Sequence, residues 1–207
     1  MRTIENLMDG YRRFRKGRYG EQARIYKEIA PGQHTKVMLI GCADSRVDPS
    51  DIFDTAPGAL FTIRNVANLV AACPSEDADG SMGAALEFAI GGLKVQHVVV
   101  MGHAGCGGVR ACLDAGEGNA PSPLVNSWVS HLEPARTKAL ADNPKDPQLA
   151  LEWEGVRQSL ANLQTYPFVA EAIKAGQLQL HGAWFGIAGG ELSWMEPEDG
   201  EFRVVQH

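Results

Sequence analysis

The sequence has no continuous apolar stretch of about 18 residues, the length that a helix needs to cross a bilayer, and it does not begin with the apolar run of a signal peptide. Basic residues are outnumbered, since 19 Lys and Arg against 25 Asp and Glu give a formal net charge of -6 at pH 7. Nucleic acids and anionic membranes bind concentrated positive charge, so this balance disfavours both as partners. We expect a soluble, cytoplasmic protein.

Cysteine is scarce, and its placement argues against two classes of protein. The chain has four cysteines: Cys42, Cys73, Cys106 and Cys112. No Cys-x-x-Cys motif is present, which argues against a thiol redox protein. Without a secretory signal, the thiols are expected to stay reduced and not to form a disulfide framework. Reduced thiols are available as metal ligands.

Hydrophobic residues make up 44% of the chain and charged residues 21%, which is enough apolar material for one compact domain spanning residues 1–207. Short apolar runs at 36–41, 60–63 and 96–102 predict buried strands. A helix with apolar residues at helical spacing is predicted at 81–93, before the last of these strands. Strand, helix and strand in this order predict a parallel crossover. The predicted fold is α/β, with a central, mainly parallel sheet flanked by helices.

The second half of the chain continues the alternation of helices and strands. A short helix is predicted after Cys106, followed by two longer helical stretches, at roughly 124–141 and 147–164. A further strand is predicted at 178–187. The pair Gly189-Gly190 then predicts a turn into a strand at 191–195, so that a hairpin closes the sheet.

The first 30 residues predict a helical arm with one apolar face. The residues that recur at helical spacing are Ile4, Leu7, Met8, Tyr11 and Phe14. An apolar stripe of this kind packs against another surface. A partner subunit and the core of the same chain are both candidates, and the pattern alone leaves the choice open.

Two of the predicted strands end in side chains that bind metals. The first strand runs into Cys42, and the strand at 96–102 runs into His103, which is followed three residues later by Cys106. Ligands bind at the carboxyl ends of parallel strands, so these three side chains are predicted to lie together. Two thiolates and one imidazole suit zinc, and three protein ligands leave a position open, as in catalytic zinc sites.

Asp44 and Arg46 follow Cys42 on the same predicted loop. An Asp beside an Arg is most often a structural ion pair. Here the pair would lie at the edge of the metal, where the carboxylate would accept a hydrogen bond from water at the zinc or compete for the open position itself. Arg46 would keep Asp44 ionised and oriented through a bidentate contact.

The segments 42–46 (CADSR) and 103–108 (HAGCGG) resemble the two signature loops of the β-carbonic anhydrases, and the likeness extends over residues 30–115. The resemblance implies one zinc ion per chain, held by Cys42, His103 and Cys106, with Asp44 and Arg46 as the catalytic dyad. It implies a lyase that hydrates carbon dioxide reversibly to bicarbonate and a proton. It also implies a homodimer or a larger homo-oligomer such as a tetramer, in which the N-terminal helices pack on the neighbouring subunit.

Within this family, the chain is similar to the plant-like members, whose active site is normally open. Gln33 matches a glutamine that hydrogen-bonds the substrate in those members, and Phe61 and Val66 match their apolar substrate wall. Members in which bicarbonate can lock the site carry a tryptophan and a tyrosine where this chain has Leu39 and Phe185. The resemblance therefore favours the open type.

Two other functions remain open for the same residues. One is hydrolysis of carbonyl sulfide or carbon disulfide, because some relatives with the same metal site use these sulfur analogues of carbon dioxide. The other is a non-catalytic zinc-binding or sensing protein in which Asp44 permanently occupies the fourth position on the metal. Arg46 argues against the second, because an arginine partner draws Asp44 away from zinc.

Overall fold

The computed structural model describes residues 3–73, 80–120 and 122–206. Six strands form one sheet at its centre: β1 Val37–Cys42, β2 Leu60–Asn65, β3 His97–His103, β4 Gln179–Gly186, β5 Glu191–Met195 and β6 Phe202–Val204. Their order across the sheet is β2-β1-β3-β4-β5-β6. The first four of these neighbours run parallel, and β5 and β6 are added antiparallel. The predicted α/β fold, with its mainly parallel sheet and closing hairpin, is confirmed.

Helices surround the sheet and carry the chain between its strands. They are α1 Ile4–Lys16, α2 Arg18–Glu21, α3 Ala23–Ile29, α4 Pro49–Ile52, α5 Ser81–Glu87, α6 Gly107–Gly116, α7 Pro123–Val129, α8 Glu133–Leu140, α9 Pro147–Leu163 and α10 Pro167–Lys174. Short 3-10 turns lie at Val66–Asn68 and Ser130–Leu132, and a π-helical turn at Phe88–Leu93 extends α5. None of the described helices combines the length and the apolar character needed to span a bilayer.

The apolar runs of β1 and β3 are buried because both faces of the sheet are covered along these central strands. Successive side chains of a strand point to opposite faces. Met38 and Val98 therefore join the larger core beneath α5, α9 and α10, whereas Leu39 and Val99 join a smaller cluster on the other face. Burial on both faces explains why these strands appear in the sequence as continuous apolar runs and not as alternating patterns.

The helical stretch predicted at 124–141 is confirmed, but the chain divides it into α7, a 3-10 turn and α8. The interruption coincides with Pro134 in the first turn of α8. Proline has no amide hydrogen, so it cannot donate the hydrogen bond to residue 130 that a continuous helix requires. The helix predicted at 147–164 is confirmed as α9, while α10 and β6 were not predicted.

The N-terminal arm is built from α1, α2 and α3. Phe14 packs inside the arm, since its ring centroid lies 5.8 Å from that of Tyr19 and 6.1 Å from that of Tyr26. The rest of the predicted stripe faces outward, with exposed fractions of 71% for Ile4 and 60% for Leu7. The described part of this chain thus leaves the apolar face of α1 uncovered.

Candidate metal centre

The three predicted metal ligands meet at one edge of the sheet. Cys42 is the last residue of β1, and His103 is the last residue of β3, its parallel neighbour. Cys106 lies directly before α6, at its N-cap. Because adjacent parallel strands end at the same edge, the sheet itself brings the Cys42 and His103 side chains together. A short turn then returns Cys106 to them.

The ligand atoms of Cys42, His103 and Cys106 all lie within 4.8 Å of one another, and all three residues are buried. The two Sγ atoms are 3.8 Å apart. His103 Nδ1 lies 3.0 Å from the carbonyl oxygen of Ala104, whereas the buried Nε2 has no hydrogen-bond partner. A buried polar atom without a partner is costly. A metal ion would satisfy it, and two sulfurs with one nitrogen are a donor set that suits zinc.

The charge state of the two cysteines also favours a bound cation. The hydrogen bond between the two sulfurs lowers the pKa of Cys42 below its ordinary value, against the opposing effect of burial. The same contact, together with burial, raises the pKa of Cys106 well above its ordinary value. The cluster thus favours negative charge on Cys42, and a cation that binds both sulfurs would displace the thiol proton of Cys106.

His103 is influenced by the same negative charge. Burial opposes its protonation, but the nearby Cys42 sulfur, the Ala104 carbonyl and Asp44 together raise the pKa of His103 above its usual value. A cluster that attracts a proton in this way attracts a metal cation for the same electrostatic reason.

Asp44 and Arg46 form a bidentate ion pair at the mouth of the cluster. Arg46 donates from Nε to Asp44 Oδ1 at 2.9 Å and from its terminal nitrogen to Oδ2 at 2.6 Å, and its backbone N–H donates to Oδ1 at 2.9 Å. These hydrogen bonds hold the pKa of Asp44 far below its usual range. Asp44 Oδ2 is 3.9 Å from His103 Nε2, so an ionised carboxylate borders the cluster without bonding to it.

Arg64 fixes the loop that carries Cys42 and Asp44. Its guanidinium donates to the carbonyl oxygens of Cys42 at 2.8 Å, Asp44 at 2.6 Å and Val47 at 2.9 Å. Three carbonyls of one loop are thus bonded to a single planar group on the adjacent strand β2. No motif of the sequence analysis includes Arg64, so this structural role was not predicted.

Val66 lies beside the metal centre, in the 3-10 turn that follows β2. Its Cγ1 is close to Gly108 at the start of α6, its backbone oxygen accepts a hydrogen bond from Trp128, and 42% of the residue is exposed. The turn places Ala67 and Asn68 in the left-handed region, with φ of 65° and 47°. Val66 is therefore an apolar group at the same edge of the sheet as the three ligands.

The other two proposed substrate contacts lie elsewhere in this chain. Phe61 pairs with Met38, four residues before Cys42, which places it roughly 13 Å back along the strand. Its ring centroid is 5.8 Å from that of Phe88, which is half exposed. Gln33 is exposed and precedes β1. The structure brings Val66, but neither Phe61 nor Gln33, to the metal centre of the same subunit.

The close approach of Val66 to α6 predicts that Gly108→Ala destabilises the protein. A Cβ at position 108 would lie 2.6 Å from Val66 Cγ1 and 2.9 Å from Ala67 Cβ. Overpacking of this kind lowers the free energy of unfolding by about 1–3 kcal/mol, measurable by urea denaturation. Gly107→Ala is the control, because a Cβ there has no neighbour within 4 Å. Equal stabilities for the two variants would contradict the contact.

Comparison with known proteins gives a consistent result. A sequence model of the family described as carbonic anhydrase matches residues 37–192. The carbonic anhydrase of Synechococcus elongatus is 36% identical over 194 residues, which cover 91% of this chain and 70% of that protein. The structure of the β-carbonic anhydrase CcaA matches with a TM-score of 0.90 at 32% identity, over 98% of this chain and 99% of that one. A structure from the tetrameric β-carbonic anhydrases of Sordaria macrospora matches with a TM-score of 0.81 at 25% identity, over 93% and 96%.

Proposed function

This chain belongs to the β class of the carbonic anhydrase family, the enzymes that hydrate carbon dioxide reversibly to bicarbonate and a proton, and we propose that Cys42, His103 and Cys106 hold a zinc ion in its active site. The observation that carries this proposal is the buried cluster itself. Two sulfurs and an unpartnered imidazole nitrogen lie within 4.8 Å of one another. Nothing else in the described residues offers three such ligands in one place.

Zinc bound there would act as a Lewis acid that lowers the pKa of water and so supplies a nucleophile near neutral pH. Side chains of this protein would orient the water and accept its proton. Asp44 accepts a hydrogen bond from the attacking water and orients its lone pair toward carbon dioxide. Because its pKa is held low, Asp44 relays the proton of the water to a buffer base in the solvent and returns to its ionised form.

Arg46 is the residue that keeps Asp44 in this role. Its two guanidinium bonds occupy both carboxylate oxygens, and it donates a further bond to the Gly105 carbonyl at 3.3 Å. Asp44 is thereby prevented from rotating onto the metal as a fourth ligand. This restraint supports catalysis over the closed zinc-sensing alternative.

The substrate is proposed to rest against Val66 at this edge of the sheet. Gln33 and Phe61 lie too far from Cys42 of their own chain to contact the same molecule of carbon dioxide. We therefore propose that they act across a subunit interface, at the site of a neighbour. The exposed Phe88 beside Phe61 supports this, because it leaves an apolar surface at that position.

A homodimer or a larger homo-oligomer is the proposed assembly, with residues 1–30 as an arm that packs on a partner subunit and residues 1–207 as one domain. The uncovered stripe of α1 supports the arm. The Sordaria macrospora relatives are described as tetrameric, which supports an assembly of that size. The cytoplasmic location expected from the sequence stays a proposal.

Leu7→Asp is expected to weaken this assembly. The substitution places a charge in the apolar stripe of α1, where 60% of Leu7 is exposed in the single chain and would be buried by a partner. Sedimentation velocity should show a shift from the oligomer toward the monomer at micromolar concentration. Asn6→Asp is the control, because it adds the same charge on the opposite, polar face of α1. A sedimentation profile unchanged by Leu7→Asp would rule out the stripe as a subunit contact.

X-ray absorption at the zinc edge tests the proposed ligand set. The zinc-loaded protein should show two sulfur scatterers and one imidazole group. A first coordination sphere of oxygen and nitrogen alone would contradict a site at Cys42 and Cys106.

A further inference from the structure

Glu152, in the middle of α9, is a buried acidic residue that forms no ion pair with any cation of the described residues. Only 3% of the residue is exposed, and it takes part in none of the ion pairs found among the described residues. Glu154, two residues further along the helix, is also buried, but it forms ion pairs with Lys138 at 2.6 Å and Arg157 at 3.3 Å. A buried carboxylate without such partners must be stabilised by hydrogen bonds.

Three donors stabilise the Glu152 carboxylate, and one of them belongs to a proposed metal ligand. Oε1 accepts hydrogen bonds from the backbone N–H of Cys106 at 3.0 Å and from the Gln148 amide at 2.7 Å. Oε2 accepts from the indole N–H of Trp184 at 3.0 Å. Both carboxylate oxygens are thus used as acceptors, and donors from three different parts of the chain converge on this one side chain.

Gln148 completes the contact with Cys106 from the same side. Its amide nitrogen also donates to the Cys106 carbonyl oxygen, at 3.0 Å. Gln148 and Glu152 are four residues apart and therefore lie on one face of α9. The N–H and the C=O of Cys106 are consequently both bonded to neighbouring side chains of a single helix turn.

The helix can reach Cys106 because it packs closely on the end of β3. A Cβ at Gly102 would lie 3.0 Å from Val156 Cγ2, one turn further along α9, and 3.4 Å from Trp184 Cδ1. Gly102 pairs with Trp184 across β3 and β4. The absence of a side chain at position 102 therefore lets α9 and Trp184 converge behind the metal centre.

We propose that Glu152 is a positioning residue of the metal centre. It fixes the main chain of Cys106 so that the Cys106 sulfur is held close to the ligand atoms of Cys42 and His103. The inference rests on the proposed zinc site and adds a residue to it. An amide in place of the carboxylate offers one acceptor oxygen for three donors, so its NH2 group must face a donor. In either orientation of the amide, at least one of the three hydrogen bonds that hold this side chain against Cys106 is lost, so the Cys106 backbone is less firmly fixed, although the sulfur itself is unchanged.

The test compares the zinc affinity of Glu152→Gln with that of Glu154→Gln in the full-length protein. Both substitutions replace a buried carboxyl group of the same helix by an amide, but only the first changes a side chain that contacts Cys106. Competition with a chromophoric chelator should show zinc binding weakened by about 10- to 100-fold in Glu152→Gln, and an affinity close to wild type in Glu154→Gln. In the cobalt-substituted protein, the sulfur-to-metal charge-transfer band should weaken or shift in Glu152→Gln alone.

Equal zinc affinities and equal cobalt spectra in Glu152→Gln and the wild type would overturn the proposal, as would an equal loss in both glutamine variants. If Glu152→Gln does not fold, Trp184→Phe decides the question, because it removes one donor and leaves the carboxylate. That variant should bind zinc about 2- to 10-fold more weakly, the equivalent of one hydrogen bond, and unchanged binding would count against positioning. A wild-type protein that does not bind zinc would instead refute the proposed metal site.

Discussion

Replacement of Cys106 by Ser is expected to abolish zinc retention and to lower kcat/KM for carbon dioxide hydration by about 10³-fold or more. The serine hydroxyl has almost the same shape as the thiol, but it does not ionise near neutral pH and is a poor ligand for zinc. Losing the metal removes several kcal/mol of transition-state stabilisation, and each 1.36 kcal/mol corresponds to about a tenfold change in rate. Metal analysis after dialysis and stopped-flow hydration assays measure the two effects separately.

The matched control is Cys112→Ser, since Cys112 is another buried cysteine, on the helix that follows Cys106. Burial raises the pKa of Cys112 to about 11, so it is a neutral thiol at physiological pH, and it lies outside the cluster. Zinc content and kcat/KM should stay near wild type in this variant. Similar losses in both serine variants would show that the effect is general unfolding and not loss of a ligand.

Asp44→Asn is expected to lower kcat/KM by about 10²- to 10⁴-fold, the range typical of a residue that orients or transfers a proton. The amide cannot take a proton from the attacking water, and it cannot accept both guanidinium bonds from Arg46. Zinc content should be unchanged, because Asp44 borders the cluster and is not one of its three ligands. Stopped-flow kinetics on fully zinc-loaded protein give the comparison.

Asp48→Asn serves as the control for the loss of an acidic group near the site. Asp48 accepts a hydrogen bond from the Ser50 backbone at the start of α4 and faces Arg64 at 3.4 Å, and asparagine caps helices as well as aspartate does. Its kcat/KM should remain within a few-fold of wild type. An Asp44→Asn variant as active as Asp48→Asn would remove Asp44 from the mechanism.

The metal cluster could be predicted from the sequence because its geometry follows from local features. Buried parallel strands appear as apolar runs, and the residues directly after such runs meet at one edge of the sheet. Cys42 and His103 end two neighbouring strands, and the Gly-rich turn after His103 returns Cys106 to them within three residues. Asp44 and Arg46 are two residues apart, so their pairing is also a local property.

The residues that support the cluster could not be predicted, because their contacts join distant parts of the chain. Glu152 reaches Cys106 over 46 residues of sequence, and Trp184 reaches Glu152 over 32. In the sequence, Glu152 is one polar residue within a long helix, and nothing distinguishes it from Glu154. The distance between Phe61 and Cys42 likewise depends on the register of β1 with β2. A resemblance in sequence does not predict that register.

The most direct test of the central claim is stopped-flow measurement of carbon dioxide hydration by the zinc-loaded protein, compared with the same protein stripped of metal by a chelator. Zinc at Cys42, His103 and Cys106 predicts rapid hydration at one zinc per chain, its loss on stripping, and its return when zinc is restored. Protein that carries one zinc per chain, binds it through these residues and yet hydrates carbon dioxide no faster than buffer would contradict the account.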